Sequence, residues 1–143
     1  NKVVGTNSRL DEIQAGLLRV RLSHMEELTQ EKIEIASRYT KGIHNPRIKL
    51  PQIPEGSTCV YHQYVIRCEE RDRLIEYLNE KEIGTIIHYP IPPHLAEAYR
   101  YLGHHEGDFP ITEHLAKTVL SIPMYNGMTE DEQNMVIDAL NRF

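Results

Sequence analysis

The amino-acid sequence predicts an α+β fold, in which a long N-terminal helix leads into a small antiparallel or mixed sheet with helices. Three observations favour this class. Apolar residues recur at helical spacing from residue 10 to residue 39, and β-like runs occur at residues 58–67, 85–88 and 119–122. The segments follow the order helix, strand, helix, strand, helix, helix, strand, helix, which favours one layer of helices on a sheet. We therefore expect a connecting helix over residues 1–43 and a sheet domain over residues 44–143.

Composition narrows the class of function. The chain has 143 residues, 40% of them hydrophobic, and a net charge of −5 without a cluster of Lys and Arg. Nucleic-acid binding is therefore not expected. No apolar run approaches the roughly 20 residues that span a bilayer, so membrane insertion is not expected either.

Cys59 and Cys68 bracket one β-like run and would lie roughly 30 Å apart if that run is extended, which is too far for a disulfide bond. Free thiols without a visible signal peptide indicate the cytoplasm.

The leading helix has Ser8 as its candidate N-cap, with Asp11 three residues later. Gly42 and Pro46 predict its end. A helix of about 30 residues would be roughly 45 Å long, which exceeds the diameter of the sheet domain. We expect it to bridge two domains or to pack on a partner, and to expose an apolar stripe along residues 9–39.

The sheet domain is predicted from local patterns. Alternation over residues 58–67 indicates a strand covered on both faces, and residues 70–81 a helix that buries Leu74, Ile75 and Leu78. Gly84 marks a turn into a strand at 85–88. Pro92 or Pro93 can begin a helix containing Leu95, Ala98 and Leu102, and Asp108 is a candidate cap for the next helix. A strand over 119–122 ends at Pro123, and Thr129 with Glu132 forms a capping box for a helix that ends at Asn141.

Two segments could carry chemistry. In His88-Tyr89-Pro90-Ile91-Pro92-Pro93-His94, three prolines stiffen a loop that follows a strand, so two imidazoles and a phenol could be presented to a phosphate or a sugar. A rigid connection with Tyr89 in the core is the other interpretation. The helix start at residues 5–12 carries Asn7 and Arg9 and could bind an anion, or it could be ordinary capping. The eight histidines lack the spacing of a metal site, so no metal is predicted.

Four motifs in this order resemble the DegT/DnrJ/EryC1/StrS family of vitamin-B6-dependent sugar aminotransferases, which have the aspartate-aminotransferase (type I) fold. The motifs are Gly5-Thr6-Asn7-Ser8-Arg9-Leu10-Asp11-Glu12-Ile13-Gln14-Ala15, Tyr61-His62-Gln63-Tyr64-Val65-Ile66-Arg67, the proline loop 88–94, and Ser121-Ile122-Pro123-Met124-Tyr125-Asn126-Gly127-Met128-Thr129. The resemblance covers essentially the whole chain and implies that this is the C-terminal small domain of a homodimeric enzyme. In that family a large domain upstream holds pyridoxal 5'-phosphate on a lysine.

The resemblance also implies residue roles. Asn7 would reach the cofactor phosphate of the neighbouring subunit, Arg9 would assist there or face the substrate, and His88, Tyr89 and His94 would touch the nucleotide-linked sugar. Six lysines lie outside the family's lysine motif, so the fragment alone would lack a catalytic residue and be inactive. They are Lys2, Lys32, Lys41, Lys49, Lys81 and Lys117.

The implied reaction moves an amino group from glutamate to a nucleotide-linked keto sugar, for polysaccharide or glycoside synthesis. The loop and the run 107–113 look most like the members that aminate 3-keto-6-deoxyhexoses. Ala96 and Glu97 stand where family members often have Gln and Pro, so a substrate contact through that Gln is not expected. Two alternatives remain: a non-catalytic α+β binding or dimerisation module, and a family dehydratase with His in place of the lysine.

Overall fold

The structure is a computed structural model that describes Gly5 and residues 10–143. The α-helices in this part of the chain are α1 (Glu12–Leu22), α2 (Met25–Gly42), α3 (Arg71–Asn79), α4 (Pro110–Thr118) and α5 (Glu130–Arg142). The strands are β1 (Ile48–Lys49), β2 (Tyr64–Cys68) and β3 (Val119–Ile122), and 3-10 helices span Pro93–Leu95 and Glu97–Leu102. The predicted α+β class is confirmed.

The leading helix is not continuous, which corrects the prediction of one long helix. α1 ends at Leu22 and α2 begins at Met25. Between them the Ser23 hydroxyl donates to the carbonyl of Val20 at 2.7 Å, and the N–H of His24 bonds to Arg21 rather than to Val20. A serine side chain that competes for a helix carbonyl interrupts the regular bonding.

The start of α1 also differs from the prediction. Asp11 is the N-cap and forms a capping box with Gln14, and the predicted cap Ser8 lies outside the described residues. The predicted apolar stripe is confirmed over residues 10–25, where seven large apolar side chains are between 48% and 80% exposed, but Ile35, Ala36 and Tyr39 further along α2 are buried in the core. The seven exposed residues are Leu10, Ile13, Leu17, Leu18, Val20, Leu22 and Met25.

Within the described residues the sheet has the order β1-β2-β3, and both pairings are antiparallel. Tyr64 pairs with Ile122 and Arg67 with Val119. The predicted strand at 58–67 is shorter because Tyr61 adopts a left-handed φ of 47°, which no regular strand tolerates. The two-residue strand β1 was not predicted, since it lacks the length that alternation needs.

The predicted strand at 85–88 is reduced to one bridge between Ile86 and Ser121. The N–H of Ile86 donates to the carbonyl of Ser121 at 3.1 Å, and the N–H of Ser121 donates to the carbonyl of Ile86 at 2.8 Å. The prolines that follow cannot donate to a ladder, so the pairing cannot extend. This segment therefore borders β3 as an edge and leads directly into the proline loop.

Helices α2, α3 and α5 pack on one face of the sheet and form the core. Residues from all three helices and from the strands are buried together, and the capping box of Thr129 and Glu132 on α5 is confirmed. Fully buried side chains include Tyr39, Tyr64, Ile66, Leu74, Leu78, Leu120 and Leu140. The Tyr39 and Tyr64 rings meet edge to face at 5.3 Å, and burial raises the pKa of both phenols. Ile75, also predicted to be buried, is only half-buried.

The region after the proline loop is less helical than predicted. Instead of one helix, two 3-10 helices flank Ala96, whose backbone is extended with ψ 138°. Asp108 does not cap α4, because Phe109 occupies the N-cap position. The Asp108 carboxylate instead accepts from the backbone N–H of His105 at 3.0 Å and lies 3.3 Å from His104. These contacts fold residues 103–109 into a compact loop.

Cys59 is half-buried and Cys68 is buried, and both are free thiols, as the sequence predicts. Burial raises the pKa of the Cys68 thiol. None of the helices in the described ranges is long and apolar enough to cross a membrane.

Candidate functional site

The proline loop is held at its first residue, His88. The imidazole Nδ1 of His88 lies 2.9 Å from the hydroxyl of Ser121 on β3. This bond fixes the orientation of the ring and leaves Nε2 to meet a ligand. Ser121 is buried, and the bridge between Ile86 and Ser121 places His88 beside it. The position of this imidazole is therefore set by the sheet edge.

A cavity of about 180 Å³ lies next to this ring. Its walls come from the residues just before β2, the end of β3 with the residues that follow it, and the segment that leads into the loop. They are His62, Gln63, Gly84, Thr85, Ile86, His88, Ser121, Ile122, Pro123 and Met124. The Thr85 hydroxyl is buried without a hydrogen-bond partner among the described residues. A buried hydroxyl without a partner, beside an imidazole, suits a ligand that brings its own polar groups.

Tyr89 follows His88 and points away from the core, with 73% of the residue exposed. Its ring meets the His88 ring edge to face at 5.4 Å. The interpretation in which Tyr89 packs in the core is therefore wrong. The loop presents a phenol and an imidazole side by side, which suits contact with a polar ring such as a sugar.

His94 ends the loop and has a different environment. Its Nε2 lies 3.0 Å from Oε1 of Glu113 on α4, and only 8% and 9% of the two side chains are exposed. The His94 ring also packs on Phe109 with centroids 4.8 Å apart. A direct contact between His94 and substrate stays a prediction, but in this structure the ring is enclosed.

Glu113 is the most heavily hydrogen-bonded carboxylate near the loop. Both of its oxygens accept from the backbone N–H of Gly107 at 2.9 Å, and Oε1 also accepts from Phe109 at 3.2 Å. Burial alone would raise the pKa of Glu113, but the hydrogen bonds from Gly107, His94 and Phe109 outweigh it and hold the pKa below 4.5. The ionised carboxylate is therefore the form that this site favours.

The Ser121–Thr129 motif is anchored to α2. Asn126 donates to the carbonyl of Leu28 and to the carboxylate of Glu31, both at 2.7 Å, and Gly127 N–H donates to the same carboxylate. Hydrogen bonds from Gly127 and Asn126 lower the pKa of Glu31. These bonds hold the motif in place, and the motif contributes Ser121, Pro123 and Met124 to the cavity wall.

The predicted site residues therefore divide into three groups. His88 lies in the cavity wall with Tyr89 beside it, His94 lies at the far end of the loop, and Asn7 and Arg9 lie outside the described residues. Sequence reasoning did not find Thr85, Ser121 or Glu113. Thr85 stands in a predicted strand without any signal of its own, and Ser121 and Glu113 fall within segments of family resemblance without a predicted role of their own.

The described residues contain no group of three or more His, Cys, Asp or Glu side chains placed to hold a metal ion. The walls of the cavity carry no lysine that could bond to pyridoxal phosphate. Their imidazole, amide and hydroxyl groups instead fit the hydroxyl groups of a substrate.

The fold matches part of the fold of solved aminotransferases. The structure superposes on a crystal structure of DesV from S. venezuelae, in complex with a ketimine intermediate, with a TM-score of 0.90 and 38% identity. The match covers 96% of this chain and 38% of that one.

Residues 1–141 match the DegT/DnrJ/EryC1/StrS aminotransferase family, and the chain belongs to this family. It is 41% identical, over its whole length, to a dTDP-3-amino-3,6-dideoxy-alpha-D-galactopyranose transaminase from Aneurinibacillus thermoaerophilus, of which the match covers 39%. It is 38% identical to a dTDP-3-amino-3,4,6-trideoxy-alpha-D-glucose transaminase from Streptomyces venezuelae, over 97% of this chain and 37% of the relative. The chain thus spans about two-fifths of the length of these relatives.

Proposed function

We propose that this chain is the C-terminal small domain of a cytoplasmic, homodimeric aminotransferase, and that the enzyme transfers an amino group from glutamate to a nucleotide-linked keto sugar. The names of the relatives support a dTDP-linked 3-keto-6-deoxyhexose as the substrate. The product would serve the synthesis of a polysaccharide or a glycoside.

The observation that carries the proposal is that His88 forms part of the cavity wall and that the exposed ring of Tyr89 lies beside it. The imidazole is oriented through Ser121, so it can donate to or accept from a sugar hydroxyl without first losing rotational freedom. The exposed phenol offers a second polar contact and a flat surface for the pyranose ring.

Pyridoxal phosphate, when bound, supplies the carbonyl chemistry that moves the amino group from donor to acceptor. By family resemblance its lysine lies upstream of the matched residues, so this chain alone does not catalyse the transfer. We assign Asn7 to the cofactor phosphate across the dimer, and Arg9 to the same region or to the substrate.

The experiment uses the full-length protein, loaded with pyridoxal phosphate and supplied with glutamate and a dTDP-linked 3-keto-6-deoxyhexose. We expect mass spectrometry to detect the amino sugar, and 2-oxoglutarate to form in equal amount. His88→Ala should slow the transfer strongly. His44→Ala, at an exposed histidine outside the cavity, is the matched control and should change little.

A sugar product that has lost a hydroxyl group without gaining nitrogen would contradict amino transfer and indicate dehydration. Failure to aminate any dTDP- or UDP-linked keto sugar would also overturn the proposal.

A further inference from the structure

The seven-residue proline loop is fixed at both ends by a histidine. His88 is held by Ser121 on β3 at 2.9 Å, and His94 is held by Glu113 on α4 at 3.0 Å. Between these two points the chain is exposed at Tyr89 and at Ile91, with 73% and 52% of their surface accessible. The proline loop is therefore held at both ends and exposed in the middle.

Glu113 connects the proline loop to a second loop, residues 103–109. The same carboxylate that holds His94 also accepts the backbone N–H groups of Gly107 and Phe109. Each of these partly buried bonds joins an ionised acceptor to a backbone donor, and such charge-assisted bonds are stronger than neutral ones. Glu113 therefore links the end of the proline loop to the segment 103–109 through a single side chain.

A cavity of about 210 Å³ separates part of the proline loop from α4. Its walls include Pro90, Pro92 and Leu95 from the loop side and Ala116 from α4. The loop is not supported by continuous packing across this space. Three prolines stiffen the loop internally. The bond between His94 and Glu113 fixes the distance between the end of the loop and α4.

We propose that Glu113, acting through His94, is a positioning residue that sets the height and orientation of the loop carrying His88 and Tyr89. This inference rests on the proposed function, because it assigns the loop to the sugar substrate. It predicts that loss of the Glu113 anchor impairs the reaction with the sugar and spares the reaction with the amino donor.

The test separates the two half-reactions of the full-length enzyme. In the first, glutamate converts the bound cofactor to its amino form, which is followed by the change in absorbance. In the second, the nucleotide-linked keto sugar reacts with the amino form in a single turnover. The variants are Glu113→Gln, which removes the charge, Glu113→Asp, which keeps it on a shorter side chain, and His94→Asn.

We expect Glu113→Gln and His94→Asn to lower the efficiency of the sugar half-reaction by about 10- to 100-fold, a range typical of a catalytic group displaced by about 1 Å. The glutamate half-reaction should stay within about twofold. Glu113→Asp should recover part of the loss. Glu106→Gln is the matched control, because Glu106 lies in the same 103–109 loop and borders the same cavity, but its side chain is 74% exposed and does not contact His94 among the described residues. It should behave as wild type.

A proportional loss of both half-reactions would mean that Glu113 only maintains the fold, and would overturn the proposal. So would unchanged sugar kinetics in folded Glu113→Gln or in His94→Asn. Failure of the proposed function is a separate outcome, because the wild-type enzyme would then not react with the sugar at all.

Discussion

The phenol of Tyr39 on α2 donates a hydrogen bond of 2.8 Å to the carbonyl of Pro123, the residue that follows β3. Tyr39 is fully buried, and Pro123 also forms part of the wall of the cavity beside His88. The core therefore connects directly to the candidate site through this bond.

Tyr39→Phe should destabilise the chain by about 1–3 kcal/mol, because the Pro123 carbonyl loses its donor in a buried environment. Urea unfolding measures the change. Tyr101→Phe is the matched control, because Tyr101 is 76% exposed, and it should shift stability by less than about 0.5 kcal/mol. Equal effects of the two substitutions would contradict the role of the bond.

Gly42, at the end of α2, is tightly enclosed by α5. A Cβ at this position would lie 2.9 Å from Cδ1 and 3.0 Å from Cγ2 of Ile137. Gly42→Ala should therefore cost about 1–3 kcal/mol by overpacking. Combining it with Ile137→Ala should cost less than the sum of the single changes.

Gly16→Ala provides the control for Gly42, because nothing lies within 4 Å of a Cβ built there in α1. It should raise helix content and stabilise α1 by roughly 0.5–1 kcal/mol, since Ala has the higher helix propensity. Circular dichroism and thermal unfolding would check both glycines. A stabilising Gly42→Ala would contradict the close approach of α2 and α5.

Stability should depend on pH through Glu113. Its pKa in the folded chain lies below 4.5, so the folded state is favoured by ionised Glu113 above that pH, and this contribution is lost as the pH falls through the folded-state pKa. Glu113→Gln should therefore lower the melting temperature most near neutral pH, and the difference from wild type should shrink on acidification. Glu106→Gln should show no such change. A difference that stays constant with pH would exclude this electrostatic contribution.

The apolar stripe on α1 should make the isolated chain self-associate. Leu17 is 68% exposed within it, so Leu17→Lys should reduce association measured by sedimentation velocity. Leu102→Lys, at a leucine 52% exposed outside the stripe, should leave association unchanged. A wild-type chain that stays monomeric at all concentrations would contradict the prediction.

Asn7 stays a prediction from family resemblance. In the full-length enzyme, Asn7→Ala should weaken cofactor binding about 10- to 150-fold, the equivalent of a bond of roughly 1.5–3 kcal/mol to a charged group. Asn7→Asp should be worse, since a carboxylate would face a phosphate. If Asp binds cofactor as wild type does and Ala mainly lowers the melting temperature, Asn7 is only a helix cap.

The sequence predicts the α-helices α3, α4 and α5 and the strand β3 well, because each has apolar periodicity or a capping signal of its own. It misses the break at Ser23–His24, since a serine that bonds to Val20 looks like any polar residue on an exposed helix face. It also overestimates the strand at 85–88, whose pairing depends on neighbours distant in sequence. At the candidate site, His88 and Tyr89 are prominent beside prolines, whereas Glu113 gains its role only when residues 94 and 107–109 fold around it.

Several hydrogen bonds join α2 and the turn after it to α5 and the segment before it, and their long sequence separation bears on the order of folding during synthesis. Asn141 on α5 accepts from the N–H of His44 and donates to the carbonyl of Gly42, and Asn126 bonds to Leu28, so contacts span sequence separations of 97, 99 and 98 residues. Such non-local contacts form late, because a long loop must close before they give any stabilisation. During synthesis α2 therefore leaves the ribosome well before α5, the helix that packs on it. The core between α2 and α5 can form only after α5 has been synthesised.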